Sequence, residues 1–325
     1  MPVRSHLIGV GGYLPERVVF NAELAGALDT SDAWIAERTG IRQRHIAGPR
    51  ETAAYMGAAA GRAALREAGA NPGDVDAVIV ATSTPDQAFP ATAVRIQAEL
   101  GIGHGYAFDV SAACSGFVYA LAVADAMLRA GQGRGALVIG TEVYSRILDW
   151  QDRATCVLFG DGAGAVYLRA GQGRGATAAE RGILSTHLHA DGSQGDILYV
   201  DGAVGRPELP GTLAMNGREV FRHAVTRLAE VVDEALAANG LERQQVDWLV
   251  PHQANRRIID AMARKLGLPA ERVVITVDRH ANTSAASIPL ALAEAVADGR
   301  IRPGHLVLME ALGGGLTWGS ALVRM

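Results

Sequence analysis

The chain has 325 residues, of which 49% are hydrophobic and 20% are charged, with a formal net charge of -4 at pH 7. This composition indicates a globular protein of one large or two ordinary domains, without a general attraction to nucleic acid or anionic membranes. Two cysteines, Cys114 and Cys156, exclude a disulfide framework and favour a reducing cytoplasm. We expect neither a signal peptide nor a membrane-spanning segment, because no stretch is long and apolar enough.

Predicted strands and helices alternate along the first half of the chain. Residues 76–82 form an apolar run without polar alternation, which is typical of a strand in a parallel sheet covered on both faces. An alanine-rich helix is predicted over residues 52–69, ending at a glycine suited to a left-handed cap. Further helices are predicted over residues 22–27 (after an Asn21 cap), 91–100 and 114–130. Further strands are predicted directly before Cys114 and over residues 6–11, 135–142, 155–159 and 164–168, the last two flanking a tight turn at GDGAG (160–164).

The second half repeats the order of the first. VDAVIV (75–80) corresponds to VDWLV (246–250), and FDVSAAC (108–114) corresponds to VDRHANT (277–283). This repetition predicts two similar α/β halves, residues 1–172 and 173–325, with the boundary in a Gly/Ala/Arg stretch at 170–179. The elements of the second half are helices over residues 216–239, 254–266 and 284–297 and strands over residues 247–250, 273–277 and 304–311.

Cys114 lies where the strand before it ends and a helical pattern begins. Its small neighbours at 111–116 permit a tight strand-to-helix turn. A thiol at a helix N-terminus meets the positive end of the helix dipole, which favours the thiolate, the form that attacks acyl groups. Cys114 is therefore either a nucleophile or, without supporting context, a small buried hydrophobic residue.

Two polar residues of the second half occupy corresponding positions. His252 follows the strand over 247–250, and Asn282 lies in the turn that corresponds to Cys114. Either residue alone is more often a helix cap than a catalyst. Because corresponding strand ends of a duplicated α/β fold meet in one crevice, we expect Cys114, His252 and Asn282 to converge on a single site.

Trp34 and Arg38 lie four residues apart on one predicted helical face, after a cap at Ser31 or Asp32. They form either a clamp for a purine ring, by stacking and by charge, or an ordinary surface cation–π pair. These residues by themselves do not decide between the two interpretations.

Four motifs together resemble one family: FDVSAACSGF (108–117), PHQAN (251–255), HANTSAAS (280–287) and GGGLTWGSAL (313–322). Over its whole length the chain resembles the β-ketoacyl-acyl carrier protein synthase III family of thiolase-fold condensing enzymes. Relatives with two histidines, or with a second cysteine, beside the nucleophile are disfavoured, because Asn282 and Leu312 occupy those places. One departure is Ala281, where the family pattern more often has glycine.

The resemblance implies a thiolase-like fold with layers in the order α-β-α-β-α, and the catalytic residues Cys114, His252 and Asn282. It implies an oxyanion hole formed by the backbone N–H groups of Cys114 and Gly314. For coenzyme A (CoA) it implies contacts from Thr30, Trp34, Arg38, Arg153, Gly217 and Asn255. For the acyl carrier protein (ACP) it suggests a basic surface, with a merely solvated helix face as the alternative, at Arg222, Arg257, Arg264 and Lys265.

The reaction implied by the resemblance starts when Cys114 attacks a short acyl-CoA, with acetyl-CoA as the expected primer. Malonyl-ACP then loses carbon dioxide and condenses to give a 3-ketoacyl-ACP, the first condensation of type II fatty-acid synthesis. Two alternatives stay open: an acyltransferase that acylates a hydroxyl or amine, and a condensing enzyme of specialised metabolism. No metal or cofactor is implied. We expect a cytoplasmic homodimer, with Phe89 closing the acyl pocket across the interface and Cys156 structural within its strand.

Overall fold

The computed structural model of the protein describes residues 3–172, 180–202, 208–209 and 211–325. Its strands, in chain order, are β1 (Val3–Tyr13), β2 (Val18–Phe20), β3 (Gln43–His45), β4 (Ala77–Ala81), β5 (Tyr106–Val110), β6 (Gly135–Val143), β7 (Asp161–Gln172), β8 (Gly182–Ala190), β9 (Leu198–Val200), β10 (Leu213–Met215), β11 (Trp248–Pro251), β12 (Leu306–Gly313) and β13 (Thr317–Arg324). Its α-helices are α1 (Asn21–Ala25), α2 (Asp32–Thr39), α3 (Ala53–Ala68), α4 (Thr92–Glu99), α5 (Gly116–Arg129), α6 (Gly217–Ala238), α7 (Arg256–Leu266), α8 (Val277–His280) and α9 (Ser287–Ala297).

Five strands form the first sheet, in the order β1-β7-β6-β4-β5. β4 pairs in parallel with β5 and β6, whereas β7 pairs antiparallel with β6 and β1. β4 is buried along its whole length. Its unbroken apolar sequence therefore reflects cover on both faces of the sheet, and the strand predicted over 76–82 is confirmed.

Four strands form the second sheet, in the order β11-β12-β13-β8. β11 and β12 run parallel, and β12 and β13 pair antiparallel as a hairpin. β11 and β12 confirm the strands predicted over 247–250 and 304–311, with small shifts of their ends. β8 and β13 have no counterpart among the predicted strands, because glycine, serine and histidine interrupt their apolar patterns.

Helices α5 and α9 lie between the two sheets. α5 contacts β4 and β6 on one side and β8 and β13 on the other, and α9 contacts both β7 and β11. α3 and α4 cover the other face of the first sheet, while α6 packs on β8, β12 and β13 and α7 packs on α6. At Gly164 of β7 a Cβ atom would lie 2.6 Å from Leu290 N, so glycine lets α9 approach the strand closely. The order of layers is α-β-α-β-α, as predicted.

The described strands of the first sheet lie within residues 3–172, and those of the second lie within residues 182–324. α9 nevertheless packs on β1 and β7, so the central layer joins elements from both ends of the chain. The division of the chain at 172 and 173 stays a prediction. Residues 173–179 of the predicted boundary lie outside the described residues.

One stretch of the first half folds differently from its prediction. Two strands flanking a turn at 160–164 were expected, but the chain instead runs as a single strand, β7, from Asp161 onward. The predicted turn is wrong because Gly162 and Gly164 keep ordinary negative φ and serve close packing rather than a reversal. Residues 153–158 form turns, so Cys156 is buried in a turn and not in a strand.

Two further predictions are corrected at element ends. The strand predicted over 273–277 is reduced to an isolated bridge to Leu249, after which the chain turns into α8. Asn21 is the first residue of α1 rather than its cap. Its buried amide donates to Ile41 O at 2.7 Å and thereby ties α1 to the chain after α2.

Candidate active site

Cys114 lies in a single 3₁₀ turn, Ala113–Ser115, between β5 and α5. The α-helix begins two residues after the cysteine rather than at it. A Cβ atom on Gly116 would lie 3.1 Å from the Cβ of Ala81 and 3.5 Å from that of Ala285, so the turn needs small residues. Ala113 has a φ of 45°, in the left-handed region. The chain thus holds Cys114 at the junction through a strained turn.

His252 follows β11 directly, as predicted, and its ring is buried. Its Nδ1 atom lies 2.7 Å from the hydroxyl oxygen of Ser287, the first residue of α9. The backbone N–H of Gln253 donates to the same oxygen at 3.2 Å. Burial lowers the pKa of His252 to about 3, so the imidazole is neutral at physiological pH.

Asn282 is held by its backbone and by its side-chain oxygen. Its N–H donates to Leu158 O, and its carbonyl accepts the N–H of Gly160, both at 3.0 Å. Its Oδ1 accepts the backbone N–H of Ser284 at 2.8 Å, which makes the side-chain nitrogen the donor end. Ala281 has φ 58° and ψ -161°, a conformation that glycine adopts far more easily.

Cys114, His252 and Asn282 line one cavity of about 70 Å³. The remaining lining residues are mostly apolar: Leu158, Phe159, Leu198, Met215, Gly217, Val220, Ala254, Asn255, Ile258 and Leu312. Among the described residues, those other than glycine with positive φ are Ala113, Ala281 and Ser284. All three adjoin Cys114 or Asn282, so backbone strain is concentrated at this cavity. The structure brings the three predicted side chains together.

The Cys114 thiol is buried, and burial raises its pKa to about 12. A hydrogen bond with the Ser284 hydroxyl opposes this rise, and the nearby Glu142 carboxyl adds to it. The expectation that the helix dipole makes Cys114 a thiolate is therefore wrong for the free protein. Loss of hydration outweighs the dipole, because a charged sulfur buried in this cavity has little water around it.

The glycine-rich hairpin between β12 and β13 packs directly on the backbone of Cys114. A Cβ atom on Gly313 would lie 2.7 Å from Cys114 N and 3.0 Å from Ser115 N, so a larger residue does not fit. Gly314 follows in the turn, where a Cβ atom would lie 2.7 Å from Leu198 O. The role predicted for the Gly314 N–H stays a prediction, but the hairpin that carries it adjoins the amide of the cysteine.

Trp34 lies beside two arginines. The guanidinium carbon of Arg38 is 4.5 Å from the centre of the Trp34 ring, and that of Arg153 is 5.2 Å from it. Ser31, one of the two predicted caps, caps α2 by accepting the N–H of Trp34 at 3.1 Å. Arg153 also donates to the backbone oxygen of Asp29. The structure thus gathers three of the residues predicted to bind CoA.

The other predicted CoA residues lie at the N-terminal ends of α6 and α7 and on the loop before α2. The hydroxyl oxygen of Thr30 is buried and makes no hydrogen bond within the described part of the chain. Gly217 is the first residue of α6 and Asn255 is the cap of α7, and both line the cavity. Asn255 Oδ1 accepts the N–H of Ile258 at 3.0 Å. Asn255 therefore caps α7 and also lines the cavity.

The cations predicted to bind the carrier protein are exposed on α6 and α7: Arg222, Arg257, Arg264 and Lys265. The Arg257 guanidinium lies 5.8 Å from the centre of the Phe221 ring, and Lys265 Nζ donates to Val225 O at 3.3 Å. Both contacts run from α7 to α6, so the two helices form one continuous surface. The buried face of α7 is formed, as predicted, by Ile258, Met262 and Leu266.

Phe89 is 83% exposed, in the loop between β4 and α4. The first N–H groups of α4, from Thr92 and Ala93, donate to Asp109 of β5 at 2.7 and 2.8 Å. β5 is an edge strand of the first sheet. An exposed aromatic side chain near an open strand edge is typical of a surface that binds another protein.

Comparison with known proteins identifies the family. The model of 3-oxoacyl-[acyl-carrier-protein (ACP)] synthase III matches residues 108–192, and the model of its C-terminal part matches residues 236–325. A β-ketoacyl-[acyl-carrier-protein] synthase III of Acidiphilium cryptum is 72% identical over 321 residues, 99% of each chain. That of Granulibacter bethesdensis is 65% identical over 322 residues, again 99% of each. The chain belongs to the β-ketoacyl-ACP synthase III family.

The fold agrees with this membership. The crystal structure of 3-oxoacyl-[acyl-carrier-protein] synthase III from Aquifex aeolicus has a TM-score of 0.92 and 46% identity, covering 99% of this chain and 100% of that one. The predicted thiolase-like fold is thereby confirmed. As a member of the synthase III family, the protein is a condensing enzyme of the acyltransferase type.

This synthase III site contains residues that the sequence analysis did not single out. Ser287 holds His252, and Ser284 contacts Asn282. Both serines lie in the motif HANTSAAS (280–287), which by itself does not indicate what their hydroxyl groups contact. Glu142, near the end of β6, is buried and accepts a hydrogen bond from Ser284. The sequence could have indicated Glu142, because a carboxyl group inside an apolar, buried strand needs hydrogen-bond partners.

Within the described residues, no group of three or more His, Cys, Asp and Glu side chains is placed to hold a metal ion. A search of the same residues finds no helix with the length and apolar character needed to cross a membrane.

Proposed function

We propose that this protein condenses a short acyl-CoA with malonyl-ACP, releasing CoA and carbon dioxide and giving a 3-ketoacyl-ACP. This reaction initiates type II fatty-acid synthesis. The observation that carries the proposal is the single cavity shared by Cys114, His252 and Asn282. A nucleophile beside two hydrogen-bond donors suits a reaction that first forms an acyl-enzyme and then stabilises an enolate.

In the first half-reaction Cys114 attacks the thioester carbonyl, the C–S bond to CoA breaks, and the acyl group stays on Cys114. Negative charge develops on the carbonyl oxygen before that bond breaks. We assign its stabilisation to the backbone N–H groups of Cys114 and Gly314. The close packing of Gly313 on Cys114 N supports this assignment, because it brings the hairpin to the carbonyl oxygen's expected place.

In the second half-reaction malonyl-ACP loses carbon dioxide, and the oxygen of the resulting enolate accepts hydrogen bonds. His252 suits this task because its ring is neutral and its Nδ1 is occupied by Ser287, which leaves Nε2 as the donor. Asn282 suits it because Ser284 occupies the amide oxygen and the nitrogen can only donate. The enolate carbon then attacks the acyl carbonyl, and the C–S bond to Cys114 breaks.

The size of the cavity supports a short primer. Its volume is about 70 Å³, and apolar side chains such as Phe159 and Leu312 line it. An acetyl group is the smallest acyl group that Cys114 would place among these side chains. We therefore propose acetyl-CoA as the primer.

For the adenine end of CoA we propose a sandwich between Trp34 and Arg153, whose guanidinium already lies near the ring. The rest of the CoA arm is assigned to Thr30, Arg38, Gly217 and Asn255. Thr30 supports the assignment, because a buried hydroxyl without a protein partner in the described residues is available to a ligand. Gly217 and Asn255 support it because they line the cavity that contains the cysteine.

We propose that ACP docks on the exposed cations of α6 and α7: Arg222, Arg257, Arg264 and Lys265. A cluster of cations attracts an acidic partner and orients it before contact. Gly217 and Asn255, at the N-terminal ends of the same two helices, line the cavity. A phosphopantetheine arm from a carrier protein on this surface therefore has a short route to Cys114.

We also propose a homodimer in which Phe89 of one protomer closes the acyl pocket of its partner. The 83% exposure of Phe89 supports this, because so large an apolar side chain is stabilised by burial against a second chain. We place the enzyme in the cytoplasm. Both cysteines are free, and a reducing compartment keeps Cys114 available as a thiol.

The decisive experiment measures intact-protein mass after brief exposure to a mixture of acyl-CoAs and again after malonyl-ACP is added. We expect one acetyl adduct, which malonyl-ACP removes with formation of a 3-ketoacyl-ACP. Cys114→Ala is expected to abolish the adduct, while Cys156→Ala, the matched control, retains it. Asn282→Ala is expected to form the adduct but not to clear it.

An adduct that persists after malonyl-ACP is added would contradict condensation. It would favour the acyltransferase hypothesis, in which a hydroxyl or amine accepts the acyl group. A preferred adduct of six or more carbons would contradict the acetyl primer and leave the condensation itself intact.

A further inference from the structure

Glu142 is a fully buried carboxyl group near the end of β6. It accepts hydrogen bonds from the segment that follows β4: from Thr84 Oγ1 at 2.6 Å, from Ser83 Oγ at 3.0 Å and from Ser83 N–H at 3.1 Å. Ser284 Oγ donates to its Oε1 at 3.1 Å. All these partners are neutral donors. A carboxyl group so placed, without a charged partner among these contacts, beside a nucleophile is a candidate for a part in the chemistry.

Ser284 connects this carboxyl group to Cys114. The turn Ser284–Ala286 packs on the turn Ala113–Ser115. Burial raises the pKa of the Cys114 thiol, and interaction with the Ser284 hydroxyl opposes that rise. The same hydroxyl oxygen lies 3.1 Å from Glu142 Oε1 and 3.0 Å from Tyr144 Oη. The Ser284 hydroxyl therefore lies beside the thiol and is hydrogen-bonded to the carboxyl group.

We propose that Glu142 accepts the thiol proton of Cys114, through the Ser284 hydroxyl, as Cys114 attacks its acyl donor. The identity of that donor rests on the proposed function, but the proton path does not. Glu142 lies behind the cysteine and reaches the substrate only through Ser284 and Cys114. It is therefore a positioning residue that sets the charge of the nucleophile.

The proton transfer balances in both half-reactions. As the new C–S bond forms, the thiol proton moves to Ser284 Oγ, and the Ser284 proton moves to Glu142. When the C–S bond to CoA breaks, the CoA thiolate takes a proton from solvent, and Glu142 keeps the thiol proton because the acylated sulfur cannot carry it. In the condensation Cys114 leaves as a thiolate and takes that proton back along the same path, and Glu142 returns to the carboxylate. One proton is thus taken up per turnover, which matches the loss of the malonyl carboxylate as carbon dioxide.

His252 is the competing base, and its surroundings make it a poor one. Burial lowers the pKa of His252 to about 3, and its Nδ1 is occupied by Ser287. Burial raises the pKa of Glu142 to about 7, with the hydrogen bonds from Thr84, Ser83 and Ser284 opposing the rise. Near neutral pH, Glu142 therefore holds a proton far more readily than His252 does.

Two titratable groups face Glu142 and shape its response to pH. Cys114 approaches from the turn before α5, and Tyr144 approaches from the turn after β6. Both are neutral near pH 7, because burial raises the pKa of Cys114 to about 12 and that of Tyr144 well above its ordinary value. The segment after β4 and the turn Ser284–Ala286 contribute hydroxyl and N–H groups. Ionisation of Glu142 is thus the change expected near neutral pH.

The first test is alkylation of Cys114 by iodoacetamide between pH 5.5 and 8.5 in the full-length protein, followed by intact-protein mass. In the wild type we expect a rate that rises through about pH 7 as Glu142 ionises. In Glu142→Gln we expect no such rise and a rate about 100-fold lower at pH 8. If Glu142 acted only as a neighbouring negative charge, its removal would lower the thiol pKa and speed alkylation. An alkylation rate that increases or keeps the wild-type pH profile overturns the proposal.

The second test is acylation of Cys114 by acetyl-CoA in the same variant. We expect the same loss of the pH-dependent rise, while enzyme acylated by prolonged incubation condenses with malonyl-ACP at the wild-type rate. A wild-type protein that is alkylated with the expected profile but never acylated would refute the proposed function and leave the proton path intact. Equal loss of acylation and condensation in Glu142→Gln would refute the proton path, because it would indicate general damage to the site.

Asp161→Asn is the matched control. Asp161 is also a buried carboxyl group held by neutral donors, from Ala47 N–H at 2.7 Å and from Ser145 Oγ at 2.6 Å. Its removal is expected to leave the pH profile of Cys114 alkylation unchanged. Should Glu142→Gln fail to fold, Ser284→Ala keeps the carboxyl group and breaks the path, and it is expected to lose the same rise. A wild-type profile in Ser284→Ala would overturn the proposal.

Discussion

The Nδ1 atom of His252 lies 2.7 Å from the hydroxyl oxygen of Ser287. That oxygen also accepts the N–H of Gln253 at 3.2 Å, and we assign the Ser287 proton to Nδ1. A neutral imidazole with Nδ1 as acceptor carries its own proton on Nε2. Ser287 therefore makes His252 a hydrogen-bond donor toward the cavity.

Ser287→Ala is expected to slow decarboxylation of malonyl-ACP about tenfold, which corresponds to the loss of about one orienting hydrogen bond. Acylation of Cys114 is expected to keep its wild-type rate. Release of carbon dioxide and intact-protein mass measure the two steps separately. Ser320→Ala, which removes another buried serine hydroxyl that donates to Val231 O at 3.2 Å, is the control and should leave both rates unchanged. Equal slowing of both steps in Ser287→Ala would contradict a specific effect on His252.

Ala281→Gly is expected to stabilise the protein by about 1 kcal/mol. Ala281 is buried and has a positive φ of 58°, where its Cβ is strained and glycine is not. The relief exceeds the greater entropy of glycine in the unfolded chain. Urea unfolding at equilibrium measures the difference. Ala295→Gly, in the regular helix α9, provides the opposite case and should destabilise by about 1 kcal/mol; destabilisation by both variants would show that position 281 is not strained.

Glu310→Gln is expected to change how stability depends on pH. Burial raises the pKa of Glu310 to about 8, so the folded protein keeps a proton there that the unfolded chain has lost above about pH 4.5. Stability therefore falls as pH rises, by about 2 kcal/mol between pH 6.5 and 8 from this group alone. Chemical unfolding at both pH values should show that the variant lacks this part of the slope.

Glu51→Gln is the control for that measurement. Against the effect of burial, hydrogen bonds from Tyr13 and from Gly48 hold the pKa of Glu51 below its ordinary value. Glu51 is therefore ionised in both the folded and the unfolded chain between pH 6.5 and 8, and its replacement should leave the slope unchanged. An unchanged slope in Glu310→Gln as well would show that Glu310 is not protonated in the folded protein.

Trp34→Ala is expected to raise the KM for acetyl-CoA about tenfold with little change in kcat. The reason is the loss of the ring on which the adenine is proposed to stack, since stacking of a base on an aromatic side chain contributes about 1–3 kcal/mol. Steady-state kinetics with acetyl-CoA and with acetyl-pantetheine, which lacks the adenine, make the comparison. A similar rise in KM for both donors would place Trp34 away from the adenine.

Phe89→Asp is expected to shift the protein from dimer to monomer. The substitution places a charge where the proposed interface buries an aromatic ring, and burying an unpaired charge is strongly unfavourable. Sedimentation velocity at micromolar concentration measures the change. Phe20→Asp is the matched control, because Phe20 is also an exposed phenylalanine, 55% exposed on β2, and it should leave the assembly unchanged. A wild-type protein that sediments as a monomer would refute the dimer.

The sequence by itself determined the family, the order of layers and the positions of Cys114, His252 and Asn282 at junctions between elements. These features are local: apolar runs, capping residues and short motifs report on their own neighbourhood in the chain. Prediction from neighbouring residues fails where the conformation of a residue depends on a contact with a residue far away in the sequence. The glycines at 160–164 resemble a turn, yet Gly162 and Gly164 lie in the strand β7, where the backbone of Leu290 in α9 packs closely on Gly164.

Only the tertiary structure decided the charge of the nucleophile. From the sequence, Cys114 meets a helix dipole that favours the thiolate, whereas in the folded protein burial raises its pKa to about 12. Ser284, which opposes this rise, and Glu142, which adds to it, lie 170 and 28 residues away along the chain. Ionisation depends on the water that is excluded and on the dipoles that replace it, and both are set by the packing of segments far apart in sequence.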